Sequence, residues 1–278
     1  MPHVFPRITG IQVEAFQHIV KENRIAWNRL QKKKKCRGRN SKVATLEERL
    51  MLLLLRYRSN MTFTLLGMFF DIDGSNIYRI LMQFESLLVK KLHIEKDFSL
   101  TDENLKQVCQ SDNNTQKSDT VLVVDITAIK IQRQLKSPNK FYSGKHKDFV
   151  VKVEILTYLD GKIVKISNLY SGRNHYFKIR MNEFKISPHI ALIGDLGCFG
   201  YEKIHTKTVT PAKRKKSQKL SKEEKERKRE ISKPRIVIEH VFASMKRFKI
   251  IGSLYRDNLK KLHKIINIIA GIHNLNIK

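Results

Sequence analysis

The sequence has little cysteine, and the cysteines it has are scattered. Cys36, Cys109 and Cys198 are odd in number and far apart, and none belongs to a C-x-x-C pair. This spacing argues against a disulfide framework and indicates no zinc site built from cysteine pairs. Such cysteine usage is typical of a reducing compartment, so we expect a cytoplasmic protein.

Long apolar runs and an export leader are also missing. The runs MLLLL and IINIIAGI fall short of the about 20 residues needed to cross a bilayer. The N-terminal MPHVFPRITG has no basic start followed by an apolar core. The sequence therefore predicts neither an export signal nor a membrane partner.

Acidic residues are the other scarce class. The 278 residues contain 55 Lys and Arg against 26 Asp and Glu, a formal net charge of +29. That excess is larger than solubility requires. A ribosome-associated protein or a merely solubilising surface would fit it, but we favour sustained contact with nucleic-acid phosphates.

The first third of the chain is dominated by helical patterns. A capping box of Thr45 and Glu48 begins one helix, a second spans 62–70, and a third spans 76–92 with Ser75 as its expected N-cap. Three helices with a tight turn before the third indicate a helix-turn-helix, and a plain helical bundle is the alternative. The DNA-binding candidates on this segment are Ser75, Asn76, Arg79 and Gln83.

After residue 118 the pattern changes to strands. VLVVDITAI, FVVKVEILTYLDG and KIVKISNLYSG follow in order, and the turn signal at 159–162 predicts a hairpin between the last two. A helical segment at 175–184, a strand HIALIGD, a possible strand KTVTPAK and C-terminal helices complete the chain. We expect an α/β fold with a mixed sheet flanked by helices, divided into a helical domain 1–95 (helix-turn-helix about 45–92), a linker 96–118 and an α/β domain 119–278.

Two aspartates close apolar strands. Asp125 ends VLVVD, and Asp195 ends IALIGD. An ionised acid in such a place costs free energy unless a partner compensates it. The ends of buried strands are where open α/β sheets gather functional side chains, although aspartate is also an ordinary turn residue.

A third acid interrupts an apolar helix. Glu239 lies in IVIEHVF, with Arg235 four residues before it and Lys246 seven residues after it, so all three share one stripe of the helix. An ordinary i, i+4 ion pair is the alternative explanation. If Glu239 meets Asp125 and Asp195, the three acids could share divalent metal and perform phosphate chemistry. The opposite side of this helix is apolar: Val237, Val241, Met245 and Phe248.

A basic stretch separates the second acid from the third. In TPAKRKKSQKLSKEEKERKRE, Ser221 and Glu224 form a capping box from which a charged helix begins. A solvated helix with internal ion pairs would fit this composition, but the +29 total favours a DNA-facing arm. Further DNA-binding candidates are therefore Lys145, in KFYSGKHK, and Lys213, Arg214, Lys215 and Lys216.

Five blocks resemble, in order, those of bacterial insertion-sequence transposases with an Asp-Asp-Glu triad, in the group that is similar to Harbinger-type nucleases. They are DITAIKIQRQ, KFYSGKHKDFVVK, GRNHYFKI, IGDLGCFGY and SKPRIVIEHVFASMKRFKII. The resemblance runs from about Phe5 to Asn276. It implies a ribonuclease H-like core that carries Asp125, Asp195 and Glu239 and follows a helix-turn-helix domain.

The resemblance also implies a chemistry. The three acids would hold two Mg²⁺ ions, with Mn²⁺ as a substitute, and Arg235 and Lys246 match the family's Arg-x3-Glu-x6-Lys signature. Expected are cleavage at terminal inverted repeats and strand transfer into duplex target DNA, without a nucleotide cofactor. A dimer or larger assembly on DNA, in a bacterial nucleoid, is implied as well.

Three positions depart from the family pattern: Gln134 stands where Pro is common, Tyr176 where Asp is common, and Ser232 where Tyr is frequent. The triad is intact in type and spacing, so we expect activity. Two other functions remain open at this point, a DNA-binding regulator that keeps the fold without catalysis and a ribonuclease. Metal-dependent nicking of duplex DNA separates the first from an enzyme, and comparison with an RNA–DNA hybrid separates the second.

Overall fold

The chain folds into two compact units. The computed structural model describes residues 3–32, 41–92, 121–183, 186–198, 200–210 and 222–277. One unit combines residues 1–93 with 244–278, and the other spans 94–243. The first boundary lies close to the expected one at residue 95, and the expected linker 96–118 lies outside the described residues. Residues 244–278, expected with the α/β domain, instead pack with the N-terminal helices.

The first unit is helical. It contains α1 (Val4–Thr9), α2 (Val13–Lys32), α3 (Leu46–Ser59), α4 (Phe63–Phe70), α5 (Gly74–Leu92), α9 (Lys249–Gly252) and α10 (Leu259–Asn276). Apolar side chains at helical spacing form its core, and Leu50 and Leu53 of α3 and Ile266 and Ile269 of α10 are 0% exposed. Because α10 is apolar on most sides, it is stable only when other helices cover it. This explains why the C-terminal segment packs with the N-terminal helices.

Side-chain caps fix where two of these helices begin. Thr45 accepts a hydrogen bond from the Glu48 amide (3.1 Å), and the Glu48 carboxylate accepts one from the Thr45 amide (2.9 Å), which confirms the predicted capping box. Thr62 caps α4 by accepting from the Leu65 amide at 3.2 Å. These contacts satisfy amides that the first turn leaves unpaired.

The turn between α4 and α5 is tight, and its cap differs from the prediction. Asp73 accepts from the Ser75 amide at 2.8 Å, so Asp73 caps α5 and Ser75 lies in its first turn. The expectation that Ser75 is the N-cap was wrong, because Asp73, two residues earlier, accepts from a free amide of the first turn of α5. The backbones approach so closely that a Cβ on Gly67 would lie 2.3 Å from the Ile72 carbonyl oxygen.

The second unit is an α/β domain. Its helices are α6 (Pro138–Phe141), α7 (Tyr176–Met181) and α8 (Lys222–Lys246), the last of which continues past residue 243. Its strands are β1 (Val121–Lys130), β2 (Tyr142–Ser143), β3 (Asp148–Thr157), β4 (Ile163–Ile166), β5 (Tyr170–Ser171), β6 (Ala191–Gly194) and β7 (Thr208–Val209). Short 3-10 turns at Leu196–Cys198 and Tyr201–Lys203 follow β6.

The strands form one mixed sheet in the order β2-β3-β1-β6-β7, with β4 and β5 also paired to β3. β1 is antiparallel to β3 and parallel to β6, and β6 is parallel to β7. The predicted hairpin is present, with Gly161 at φ 93°, a conformation that favours glycine. The expected mixed sheet flanked by helices is confirmed.

Alternate residues of the strands build the core of this unit. Leu122 and Val124 of β1, Leu156 of β3 and Leu192 of β6 cluster with Tyr201 on one face. Val241 of α8 is 2% exposed, in agreement with the predicted apolar face. None of the helices in the described part of the chain is long and apolar enough to cross a bilayer.

Candidate active site

Neighbouring parallel strands bring the two aspartates together. β1 and β6 pair Val124 with Gly194, and Asp125 and Asp195 each follow by one residue. Paired strands lie about 4.8 Å apart. The two aspartates therefore occupy adjacent positions where β6 ends. The expectation that each acid closes its strand is right for Asp195 and wrong for Asp125, because β1 continues past Asp125 to Lys130 in its pairing with β3.

Asp125 is held in an environment that disfavours its charge. The pKa of Asp125 is raised to about 6, chiefly by burial and to a smaller extent by the negative charge of Asp195. A hydrogen bond from the Ile126 amide and the positive charges of Arg235 and Lys145 act in the opposite direction. Because burial is the largest of these effects, the described protein groups do not fully stabilise the ionised form of Asp125.

Arg235 forms an ion pair with one of the two aspartates, Asp195. Its Nη2 lies 2.9 Å from Asp195 Oδ1, and its side chain is 20% exposed. Arg235 belongs to α8, so this bond fixes one stripe of α8 beside Asp195, where β6 ends. The first residue of the predicted Arg-x3-Glu-x6-Lys series thus lies at the aspartate pair.

Glu239 does not complete a closed cluster. It lies one helical turn after Arg235, so it shares that stripe of α8, but its side chain is exposed. Among the described residues, no three His, Cys, Asp or Glu side chains stand at metal-holding distance. Glu239 is therefore not in the costly, buried position that the apolar pattern around it suggested. Its part in holding metal together with Asp125 and Asp195 stays a prediction.

The structure describes Lys246, the last of the predicted catalytic residues, but not the basic arm. Lys246 is the last residue of α8 and falls in the helical unit. Ser221, the predicted capping residue, lies outside the described residues. So do the basic candidates of the arm, which are Lys213, Arg214, Lys215 and Lys216.

The DNA-binding candidates of the helical unit share one exposed surface. Asn76, Arg79 and Gln83 recur at helical spacing on α5, and each side chain is exposed, as is Ser75. The Arg79 guanidinium donates to Asn76 Oδ1 at 3.1 Å. The surface is polar and free of the apolar core residues of the same helix, such as Ile77 and Phe84.

Two features beside Asp125 were not expected from the sequence. Lys145 and Lys152 both lie against the ring of Tyr176, and Glu154 forms a buried ion pair with Arg180. A signal for both existed, because Lys152 and Glu154 alternate as charged residues within the apolar strand VVKVEIL. Charges at period two on a buried strand face indicate partners from another element.

The buried ion pair fastens two elements to the sheet. Arg180 Nη1 of α7 donates to Glu154 Oε1 of β3 at 2.6 Å, and the Tyr201 hydroxyl donates to Glu154 Oε2 at 3.1 Å. Glu154 is 0% exposed and Arg180 3% exposed. Tyr201 lies six residues after Asp195, so this network holds the segment that follows the second aspartate.

The donor set suits a hard divalent cation. Asp125 and Asp195 offer oxygen ligands only, and such ligands favour Mg²⁺ or Mn²⁺ over softer metals. Burial and mutual repulsion raise the pKa of Asp125, and a cation between the two carboxylates would reverse that effect. The side chain of Glu239, exposed one turn beyond Arg235, is free of core packing.

We expect Asp125→Asn to stabilise the metal-free protein at pH 8. The folded-state pKa of about 6 exceeds the ordinary value of 3.8, so the contribution of this acid to stability is full below pH 4 and is lost as pH rises through 6. The amide avoids that loss, so the gain in unfolding free energy is about 3 kcal/mol at pH 8, which corresponds to the pKa rise from 3.8 to about 6, and less than about 1 kcal/mol at pH 4. Thermal denaturation in EDTA at both pH values measures it, with the exposed Asp160→Asn as control. Equal melting temperatures of wild type and Asp125→Asn at pH 8 would contradict this expectation.

Comparison with known proteins adds independent findings. The family described as DDE superfamily endonuclease matches residues 124–274. The family described as helix-turn-helix of DDE superfamily endonuclease matches residues 41–94. The probable transposase for insertion sequence element IS702 of Microchaete diplosiphon is 30% identical over 271 residues, which cover 97% of this chain and 93% of that protein. No solved structure gives a significant match.

Proposed function

The chain belongs to the DDE superfamily endonucleases as an insertion-sequence transposase, and on this premise we propose that Asp125, Asp195 and Glu239 are its catalytic acids. An enzyme of this family acts on DNA with the help of divalent metal, and its helix-turn-helix domain binds DNA. The observation that carries the assignment is the parallel pairing of β1 with β6, which sets Asp125 beside Asp195. The grouping with Harbinger-type nucleases stays a prediction.

The three acids would hold two Mg²⁺ or Mn²⁺ ions. When bound, such ions polarise the attacking oxygen and stabilise the leaving oxygen of an in-line displacement at phosphorus. The contribution of the chain is to supply oxygen ligands on two rigid strands and one helix. Because Glu239 is exposed, rotation of its side chain towards the aspartates requires no repacking of the core.

Two basic residues of α8, Arg235 and Lys246, would bind phosphates of the DNA substrate. Arg235 already lies at the aspartates with its guanidinium on Asp195. A guanidinium in that place can form charge-assisted hydrogen bonds with the scissile phosphate. Lys246, further along the same helix, would bind the neighbouring backbone.

DNA recognition would use both units. The exposed surface of α5 would read the terminal inverted repeats, with Arg79 and Asn76 reaching base edges. The basic arm at 213–216 and the charge of +29 would bind phosphates. Transposition joins two element ends to one target, so a homodimer or larger assembly on DNA is part of the proposal.

We expect the full chain to nick a duplex that carries the terminal inverted repeat flanking its gene, and to do so only with Mg²⁺ or Mn²⁺. No nucleotide triphosphate is required, because the displaced strand end itself is the later nucleophile. Gel analysis of end-labelled strands measures nicking and strand transfer, with EDTA and an RNA–DNA hybrid of the same sequence as controls. Tight, specific binding without metal-dependent nicking would overturn the enzyme assignment in favour of a regulator.

A further inference from the structure

A cluster of two lysines and a tyrosine lies beside the aspartate pair. The Lys145 Nζ lies 5.0 Å from the centroid of the Tyr176 ring and donates to the Tyr176 hydroxyl oxygen at 3.4 Å. The Lys152 Nζ lies 5.3 Å from the same centroid. We name Lys145, Tyr176 and Lys152 the lysine–tyrosine cluster.

The cluster contains two ammonium groups. Among the described residues, neither ammonium forms an ion pair with a carboxylate. Lys152 is 6% exposed, and its Nζ donates to the Asn174 carbonyl oxygen at 2.7 Å. Burial and the charge of Lys145 both lower the pKa of Lys152. A buried cation next to a second cation costs free energy that an anion would recover.

The position of the cluster ties it to the aspartates. Lys152 lies on β3, which pairs directly with β1, the strand that carries Asp125. Tyr176 also packs on the turn that follows Asp195, because a Cβ on Gly197 would lie 2.6 Å from its ring. The cluster therefore borders the aspartate pair on the side of β3 and α7.

The cluster joins an exposed lysine of a loop to a buried lysine of a strand. Lys145 is exposed at the tip of the β2–β3 hairpin, in the loop 144–147. Lys152 is anchored within β3, and Tyr176 begins α7. The hydroxyl of Tyr176 accepts from Lys145, which leaves its own hydrogen for an oxygen of a ligand. Two ammonium groups that form no ion pair with a described carboxylate, together with one hydroxyl donor, match the non-bridging oxygens of a phosphodiester.

We propose that the lysine–tyrosine cluster binds the backbone phosphate next to the scissile one, with Lys145 and Tyr176 contacting its oxygens and Lys152 positioning the Tyr176 ring. The proposal rests on the proposed function, in which Asp125 and Asp195 act on the scissile phosphate. Its role is to set the register of the cleaved strand across the two aspartates.

Binding without cleavage tests the proposal. Fluorescence anisotropy in Ca²⁺ follows the full chain on the terminal-repeat duplex at several salt concentrations. Each phosphate contact contributes about 0.9 to the slope of log K against log salt, so Lys145→Gln is expected to lower that slope by about one and to weaken binding about 10-fold at low salt. Tyr176→Phe keeps the ring and is expected to weaken binding less, by about 3-fold.

A matched series of duplexes locates the contact. Each has one neutral methylphosphonate at a successive phosphate of the cleaved strand. At the phosphate adjacent to the cleavage site, the methylphosphonate should weaken binding most for wild type, less for Tyr176→Phe and least for Lys145→Gln. Lys147→Gln, on the same loop, is the control and should remain sensitive there. Melting temperatures of all variants establish that they are folded.

The outcomes separate this proposal from the proposed function. The phosphate site is rejected if Lys145→Gln keeps the wild-type salt slope, or if it responds like wild type to the methylphosphonate at every position. This conclusion holds even if wild type cleaves DNA. If sensitivity instead follows removal of a base, the cluster stacks a base and the phosphate assignment is overturned. If wild type shows no metal-dependent cleavage, only the proposed function is contradicted, because the binding assay requires no cleavage.

Discussion

Asp125→Asn, Asp195→Asn and Glu239→Gln are each expected to reduce metal-dependent strand cleavage about 10³-fold or more, while binding of the terminal-repeat duplex is retained. Each change removes one anionic oxygen ligand and keeps the size of the side chain. Because the acids are proposed to act as a unit, a double variant should lose little more than a single one. Single-turnover cleavage of end-labelled duplex measures the rates, and anisotropy in Ca²⁺ measures binding.

Glu239→Gln is the most informative of the three. Glu239 is exposed and outside the aspartate pair as the structure describes it, so its loss should change stability little. A large loss of cleavage with unchanged melting temperature would then report catalysis alone. Glu202→Gln, another exposed glutamate of the same unit, is the control and should cleave at the wild-type rate. Near-normal cleavage by Glu239→Gln would remove this residue from the catalytic set.

Local signals in the sequence predict much of the helical unit. The capping box at Thr45 and the apolar spacing of α3 and α5 depend on neighbours within one or two turns, and the structure confirms them. The cap at Ser75 failed because Asp73 competes for the same amides. The packing of α10 with the N-terminal helices joins segments more than 150 residues apart, and local pattern carries no such information.

The candidate site shows the same division. The end of an apolar strand correctly predicts the position of Asp195, whereas Asp125 lies within β1 and not at its end. The parallel pairing of β1 with β6 brings the two acids together, and that pairing crosses about 70 residues. The exposure of Glu239 was missed, because helical pattern gives a stripe and not its distance from a sheet. The partners of Lys152 and Glu154 were missed for a related reason, since they come from α7 and the turns beside it.

The largest expected effect on stability comes from the buried ion pair of Glu154 and Arg180. Arg180→Met leaves the Glu154 carboxylate buried with the Tyr201 hydroxyl as its remaining described donor. Loss of one partner of a buried pair costs about 3–5 kcal/mol of unfolding free energy. Burial already raises the pKa of Glu154 with Arg180 present, and removal of the guanidinium raises it further. The stability deficit should therefore be small at pH 4, where the acid is protonated in both states, and grow as pH rises.

The chain offers an internal reference for this measurement. Its single tryptophan, Trp27, is buried in the helical unit, so Trp fluorescence follows that unit while hydrogen exchange of the β3 amides follows the α/β unit. Arg180→Met should speed β3 exchange strongly, and the exposed Arg173→Ala should change it by less than about 0.5 kcal/mol. The double variant Glu154→Met with Arg180→Met should recover most of the lost stability, because apolar side chains of similar size replace a buried pair at little net cost. If Arg180→Met alone leaves β3 exchange unchanged, the pair does not hold α7 and the segment after Asp195 on the sheet, and the positions of both aspartates must depend on the strand pairing alone.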